Sequence, residues 1–211
     1  NNRPHILTEG FESDSPLFNR AVQGLYELGS TFKPFTVAQA LELKLVSPET
    51  LIDTRGPLLW GKFKIRDFRD YGPELSVEKV IVKSSNIGTA RIAQIIGNER
   101  QKAFLDRLGM LAATPIELIE GPTGRPQYPD NWSEISTMTI SYGHGISTSP
   151  LHLAAGYATI INGGTLVTPT LLKQNIRKVG KRIVSEKVSQ EIRTMLRHVV
   201  TDGTARSGDV P

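Results

Sequence analysis

The chain has 211 residues, of which 38% are hydrophobic and 22% charged, and it has no cysteine. That length allows one domain with a proper core, and the composition excludes a fibrous repeat or a disordered tract. Disulfides, thiol catalysis and cysteine metal sites are excluded too. The formal charge of +4 is mild and scattered, apart from a small group at Arg177, Lys178, Lys181 and Arg182. Nucleic-acid binders cluster their cations on one element, so no nucleic-acid partner is expected. The four histidines, His5, His144, His152 and His198, lack metal-ligand spacing, and no metal or organic cofactor is expected. No apolar run approaches the ~20 residues that cross a bilayer, and no signal peptide is recognisable. The opening Asn1-Asn2-Arg3-Pro4 is neither an initiator nor a targeting segment, so an excised piece of a longer protein is expected.

Residues 1–29 read as irregular and polar, broken by Pro4, Gly10, Pro16, Gly24 and Gly29. A helix is predicted from about Ser30 to Leu43, because Ala38 and Ala40 favour helix and Phe32, Phe35 and Leu41 supply apolar surface. Pro34 is tolerated only near a helix start, which puts Ser30 in or beside the first turn. Residues 44–74 read as loops and short strands, with Phe63 and Ile65 alternating with Lys62, Lys64 and Arg66. Ser76 reads as the N-cap of a short helix over 77–83, with Glu78 in its first turn. Helices follow over 87–96 and 99–108, the latter closed by Gly109. The proline-rich stretch 112–135 reads as loop. Pro150 opens a helix over 151–161 that Gly163-Gly164 ends. Thr165–Thr168 and Arg182–Val184 are strand candidates. Ser185 caps a last amphipathic helix with Val188, Ile192, Leu196 and Val199 on one stripe. The pattern is α+β and rich in helix.

Two Ser-x-x-Lys tetrads occur, Ser30-Thr31-Phe32-Lys33 and Ser76-Val77-Glu78-Lys79. Residues three apart share a helix face. A serine hydroxyl needs a base beside it to act as a nucleophile. A lysine can be that base only where burial or nearby cations lower its pKa. A helix start assists, because its dipole disfavours the ammonium and its free N–H groups can stabilise an oxyanion. By chance alone about one such tetrad is expected in a chain this long. The second has a better reading as an N-cap serine with an exposed lysine. Taken alone neither tetrad is decisive, and the surrounding sequence has to choose between Ser30-Lys33 and Ser76-Lys79. A second element is Lys83-Ser84-Ser85-Asn86-Ile87-Gly88, between two helices, where Ser85 or Asn86 can also simply cap the following helix.

Tyr26-Glu27-Leu28-Gly29-Ser30-Thr31-Phe32-Lys33-Pro34 closely resembles the active-site motif Y-E-P-G-S-T-F-K-P of penicillin-binding proteins, with Leu28 at the usual proline. Lys83 to Gly88 resembles the K-S-S-N-V-G form of division-type class B members. Ser-x-x-Lys, a Ser-x-Asn element and Lys-Thr-Gly are the motif set of those proteins and of serine β-lactamases. Leu105 to Met110 resembles the family's L-G-L-G helix end. Ser141-Tyr142-Gly143-His144-Gly145-Ile146-Ser147-Thr148-Ser149-Pro150-Leu151 resembles S-Y-G-Y-G-L-S-V-T-P-L, with His144 in place of tyrosine and expected to be structural. Tyr157 to Gly164 matches Y-A-x-x-A-N-G-G. The resemblance covers residues 17–211 in order. No Lys-Thr-Gly or Lys-Ser-Gly occurs in the 211 residues.

The resemblance implies residues 1–211 as a partial transpeptidase domain: the helical part of the penicillin-binding protein and serine β-lactamase-like fold, with much of the central antiparallel sheet missing. It implies Ser30 as nucleophile, Lys33 as base, Ser84 as proton relay and Asn86 as binder of the substrate amide. It implies peptidoglycan stem peptides ending in D-Ala-D-Ala as substrate, β-lactams as substrate mimics, and division proteins as partners of the parent. The parent would be membrane-anchored and face the periplasm. Without the Lys-Thr-Gly strand, the isolated chain is expected to be impaired. A serine β-lactamase or D,D-carboxypeptidase, and a β-lactam sensor that acylates without transpeptidation, are the alternative readings. A basic surface could also attract an anionic cell-wall polymer.

Overall fold

The computed structural model describes residues 15–175 and 179–209. The reading of residues 1–14, and the expected basic contributions of Arg177 and Lys178, lie outside the described residues.

One helix organises the rest. Helix α1, Lys33–Glu42, is buried along its whole length from Lys33 to Leu41. Helices α2 (Val77–Val82), α3 (Asn86–Ile96) and α7 (Glu186–Thr201) pack around it. They contribute Val80, Ile92 and Ile192 to a core shared with Phe32, Phe35 and Val37 of the α1 region. Each such side chain stabilises the fold by about 1.5–3 kcal/mol on burial. Helix α4 (Asn98–Arg107) ends at Gly109, whose φ of 82° is the left-handed C′ conformation foreseen for it. Helix α6 (Pro150–Ile161) packs against α1 and α7.

The long predicted helix from Ser30 is in fact two pieces. Gly29–Phe32 is a 3₁₀ turn, and the α-helix proper begins at Lys33. The cause is Pro34. An α-helix would return the N–H of residue 34 to the Ser30 carbonyl, and proline has none. The Ser30 carbonyl instead accepts from the Lys33 N–H, which is the 3₁₀ pattern.

The described residues form two small sheets. Strand β1 (Leu51–Asp53) pairs antiparallel with β4 (Glu74–Ser76), with Ile52 opposite Leu75. Between them, β2 (Leu58–Trp60) and β3 (Phe63–Ile65) make a hairpin, with Leu58 opposite Ile65 and Trp60 opposite Phe63. Leu58 and Ile65 dock on Ile87, Ala90, Met138 and Tyr142 in a second, smaller core. The candidate strands Thr165–Thr168 and Arg182–Val184 reduce to one bridge, Thr165 to Arg182. Helix α5, Glu134–Ser141, lies partly within the stretch read as loop. Its β-branched Ile-Ser-Thr-Met-Thr-Ile run has low helix propensity, and packing against α3 overrides that. Ser133 caps it by accepting from the Ser136 N–H.

His152 ties α6 to the loop after α4. Its Nδ1 accepts from the Ser149 N–H at 3.3 Å, which leaves Nε2–H to donate to the Ala112 carbonyl at 2.8 Å. The ring is buried, and burial lowers its pKa from 6.5 despite the Ala112 bond. Below pH 6.5 the unfolded chain therefore binds more protons than the folded one at this site. Stability from His152 is full above about pH 6.5 and falls as pH drops toward the depressed value. Urea unfolding across pH 5–7 should follow that slope, and His152→Gln should flatten its share of it.

Candidate active site

The turn carrying Ser30 is held from three sides. Tyr26 bridges Thr148 through reciprocal backbone bonds of 3.0 Å. The Gly29 N–H donates to the Gly143 carbonyl at 3.1 Å, and Gly29 itself has φ 56°. The Tyr157 hydroxyl donates to the Thr31 carbonyl at 2.8 Å, and burial pushes its pKa up to about 12. Thr31 closes the turn on itself by donating to the Leu28 carbonyl. Glu27 takes the Gly145 N–H at 2.7 Å and the His144 ring at 3.1 Å. Those bonds, the Gly145 one foremost, hold its carboxyl below the usual range. His144 is thus an exposed partner of Glu27 and packs edge-on to Tyr142.

Ser30 is exposed, and among the described residues its hydroxyl has no hydrogen-bond partner. Lys33, three residues on, is only 2% exposed. Its Nζ donates to the Ser84 carbonyl at 2.5 Å and to the Ser84 hydroxyl at 2.8 Å. Burial lowers its pKa from 10.5 to about 8, against the opposing field of Asp67. Lys33 and Ser84, 51 positions apart, are therefore in direct contact. Ser84 sits at φ 57°, a conformation costly for a residue with a Cβ. That twist leaves both its carbonyl and its hydroxyl on the lysine.

Asn86 does not reach Lys33. Its side-chain amide donates to the Arg66 carbonyl at 2.9 Å. The residue that fixes this corner is Asp67. One carboxylate oxygen takes the Ser85 hydroxyl at 2.7 Å; the other takes the backbone N–H groups of Asn86, at 2.5 Å, and Ile87, at 3.0 Å. Ser85 also accepts from the Gly88 N–H. The start of α3 thus carries two caps, its own serine and a carboxylate from 18 residues upstream, both favourable at the positive helix end. No local pattern in Ile65-Arg66-Asp67-Phe68 announces that role. The competing tetrad resolves as expected: Ser76 caps α2 by accepting from the Lys79 N–H, and Lys79 is exposed.

The model of the penicillin binding protein transpeptidase domain matches residues 1–211, and the chain belongs to that family. It is 35% identical over 207 residues to the probable peptidoglycan D,D-transpeptidase FtsI of Caulobacter vibrioides, covering 96% of this chain and 35% of that protein. It is 30% identical over 185 residues to FtsI of Escherichia coli K12, covering 88% of this chain and 31% of that one. The chain spans about a third of the length of these curated relatives. The apo transpeptidase domain of Burkholderia pseudomallei penicillin-binding protein 3 superposes with a TM-score of 0.85 at 36% identity, over 92% of this chain and 59% of that one. The mixed helix-and-sheet fold is that of these domains. No helix among the described residues is long and apolar enough to cross a membrane.

Gly143 tests how tightly the serine turn is held. A Cβ there would stand 2.1 Å from the Gly29 carbonyl oxygen, and its φ is 82°. Gly143→Ala should therefore destabilise the domain by at least about 2 kcal/mol, measured as a shift in the urea midpoint at unchanged slope.

Proposed function

We propose that this chain is part of a peptidoglycan D,D-transpeptidase that works through a serine acyl-enzyme on Ser30. The observation that carries the reading is the buried Lys33 amine, three residues from an exposed serine and bonded to Ser84. An amine with pKa about 8 is neutral in roughly one molecule in ten at pH 7, so it is poised for general-base work. Neutral Lys33 takes the Ser30 proton as Oγ attacks the carbonyl of the penultimate D-Ala of a stem peptide. The Ser30 N–H, in a first turn where backbone donors lack intrahelical partners, faces the developing oxyanion. The bond to the terminal D-Ala breaks, and that amine leaves with a proton relayed from Lys33 through Ser84. The amine of a neighbouring stem then attacks the Ser30 ester, forms the cross-link and frees the hydroxyl. Asn86 binds the substrate amide after releasing the Arg66 carbonyl. β-Lactams acylate Ser30 by the same route.

The parent is assigned to the periplasmic face of the inner membrane, anchored by an N-terminal transmembrane helix, and to septal wall synthesis with division proteins as partners. The names of the FtsI relatives support the division role. A β-lactamase, a D,D-carboxypeptidase or a sensor would differ in the fate of the acyl-enzyme, through rapid hydrolysis or through the absence of any transfer to an amine.

Intact mass after incubation with a penicillin tests the reading. The full-length protein should gain one adduct that Ser30→Ala abolishes, with an acylation rate that climbs as pH rises through about 8. The 211-residue chain, lacking Lys-Thr-Gly, should acylate about 10²–10³ more slowly, the usual cost of one missing oxyanion donor. An adduct on the full-length protein that survives Ser30→Ala would contradict the assignment.

A further inference from the structure

The β2–β3 hairpin and the loop after it do more than brace α3. Residues 58–71 read Leu-Leu-Trp-Gly-Lys-Phe-Lys-Ile-Arg-Asp-Phe-Arg-Asp-Tyr. The hairpin face that buries Leu58 and Ile65 continues two residues outward to Trp60 and Phe63, which overhang the core at 37% and 47% exposure. Phe68 is 96% exposed. Isolated apolar side chains on a surface need no explanation, but contiguous ones mark contact sites. Interleaved with them are four exposed cations, Lys62, Lys64, Arg66 and Arg69. Among the described residues, none of the four forms an ion pair.

At the base of the hairpin is a cleft of about 240 Å³, walled by Pro57, Arg66, Asp67, Arg69, Tyr71 and Ile87 among others. Its acids are already occupied. Asp67 is engaged by the start of α3, and Asp70 takes the Gly72 N–H. Its two guanidiniums are available, with Arg69 lying over the Tyr71 ring at 5.5 Å. Two forked cations beside an aromatic wall suit a carboxylate on an organic body. The cleft also adjoins the reaction site, because Arg66 and Asp67 hold Asn86 through the bonds described above.

We propose that this cleft is a second binding site for the peptidoglycan strand, holding a free stem-peptide carboxylate between Arg66 and Arg69, with Phe68 and the hairpin aromatics as its apolar margin. The inference rests on the proposed function, and deepens it from a reactive peptide end to a strand held at two points. An anionic occupant follows from the lining, because the Asp67 and Asp70 carboxylates accept from neighbouring backbone and hydroxyl donors while the Arg66 and Arg69 guanidiniums form no ion pair among the described residues. A ligand there touches the same Asp67 that positions Ser85 and Asn86, so occupancy of the cleft and of the reaction site share one support.

The test uses the full-length protein and soluble glycan strands carrying tripeptide stems, which have carboxylates but no D-Ala-D-Ala to react. Binding is read by anisotropy of labelled strands, and penicillin acylation is measured alongside. Arg69→Gln, whose position makes no bond to the Ser84–Asn86 turn, should weaken strand binding about tenfold or more, the loss expected for one charge-assisted contact, while acylation stays within about twofold. Arg66→Gln/Arg69→Gln, read on strand binding only, should show a larger loss in the same direction. Equal binding by parent and both variants, or equal binding of strands stripped of their stems, would overturn the proposal. So would an effect confined to phosphatidylglycerol vesicles, which would assign the patch to a lipid surface. Failure of acylation in the parent would instead sink the proposed function and is read separately.

Discussion

A lysine ammonium buried to 2% exposure must find acceptors, and around Lys33 the fold supplies them from a single residue. Ser84 offers both its carbonyl and its hydroxyl. To do so it adopts a left-handed backbone, which has to be held in place by something stronger than its own preference. That support is Asp67, which pins the next three residues through a hydroxyl and two backbone donors. Asp67 in turn depends on the hairpin, whose Leu58 and Ile65 sit on Ile87 and Ala90 of α3. The chain of dependence runs from a small apolar contact, through a carboxylate cap, to a strained serine and finally to an amine whose pKa is about 8.

The opposing forces on Lys33 are informative. Burial alone would push the amine lower, and the Asp67 carboxylate limits the fall. The same carboxylate that shapes the corner electrically also shapes it geometrically. On the proposed reading, that balance keeps most of the amine charged at neutral pH yet leaves a working fraction neutral. Ser30 is organised separately, by Gly29–Gly143, Tyr26–Thr148 and Tyr157–Thr31, so the two halves of the site meet along one helix start but are supported by different parts of the chain.

Much of this was legible in the sequence because it is local. Caps at Ser76, Ser133, Ser149 and Ser185 act within three residues, and all but Ser133 and Ser149 were foreseen as caps. Pro34 marked the helix start, but its missing N–H also converts the first turn to 3₁₀, a consequence that propensity alone does not deliver. In helix α5 the β-branched Ile135, Thr137, Thr139 and Ile140 weaken the local helical signal, and packing on α3 decides the matter. The motif around Ser30 and Lys33 identified the family, whereas Asp67 was invisible. Its role exists only after 18 residues of loop and hairpin return it to Ser85. Asn86 illustrates the same limit: the motif places it beside the site, and the fold gives its amide to Arg66.

The central claim is that the Lys33 amine is kept partly neutral by burial against Ser84. The most direct measurement is an NMR titration of the Lys33 side chain in the full-length protein, with Lys33→Met assigning the resonance. The account predicts a midpoint near 8, well below the 10.5 of an ordinary lysine. A midpoint at 10.5 would contradict it, because the amine would then be solvated and charged, and the Ser84 contact would have no part in making it a base.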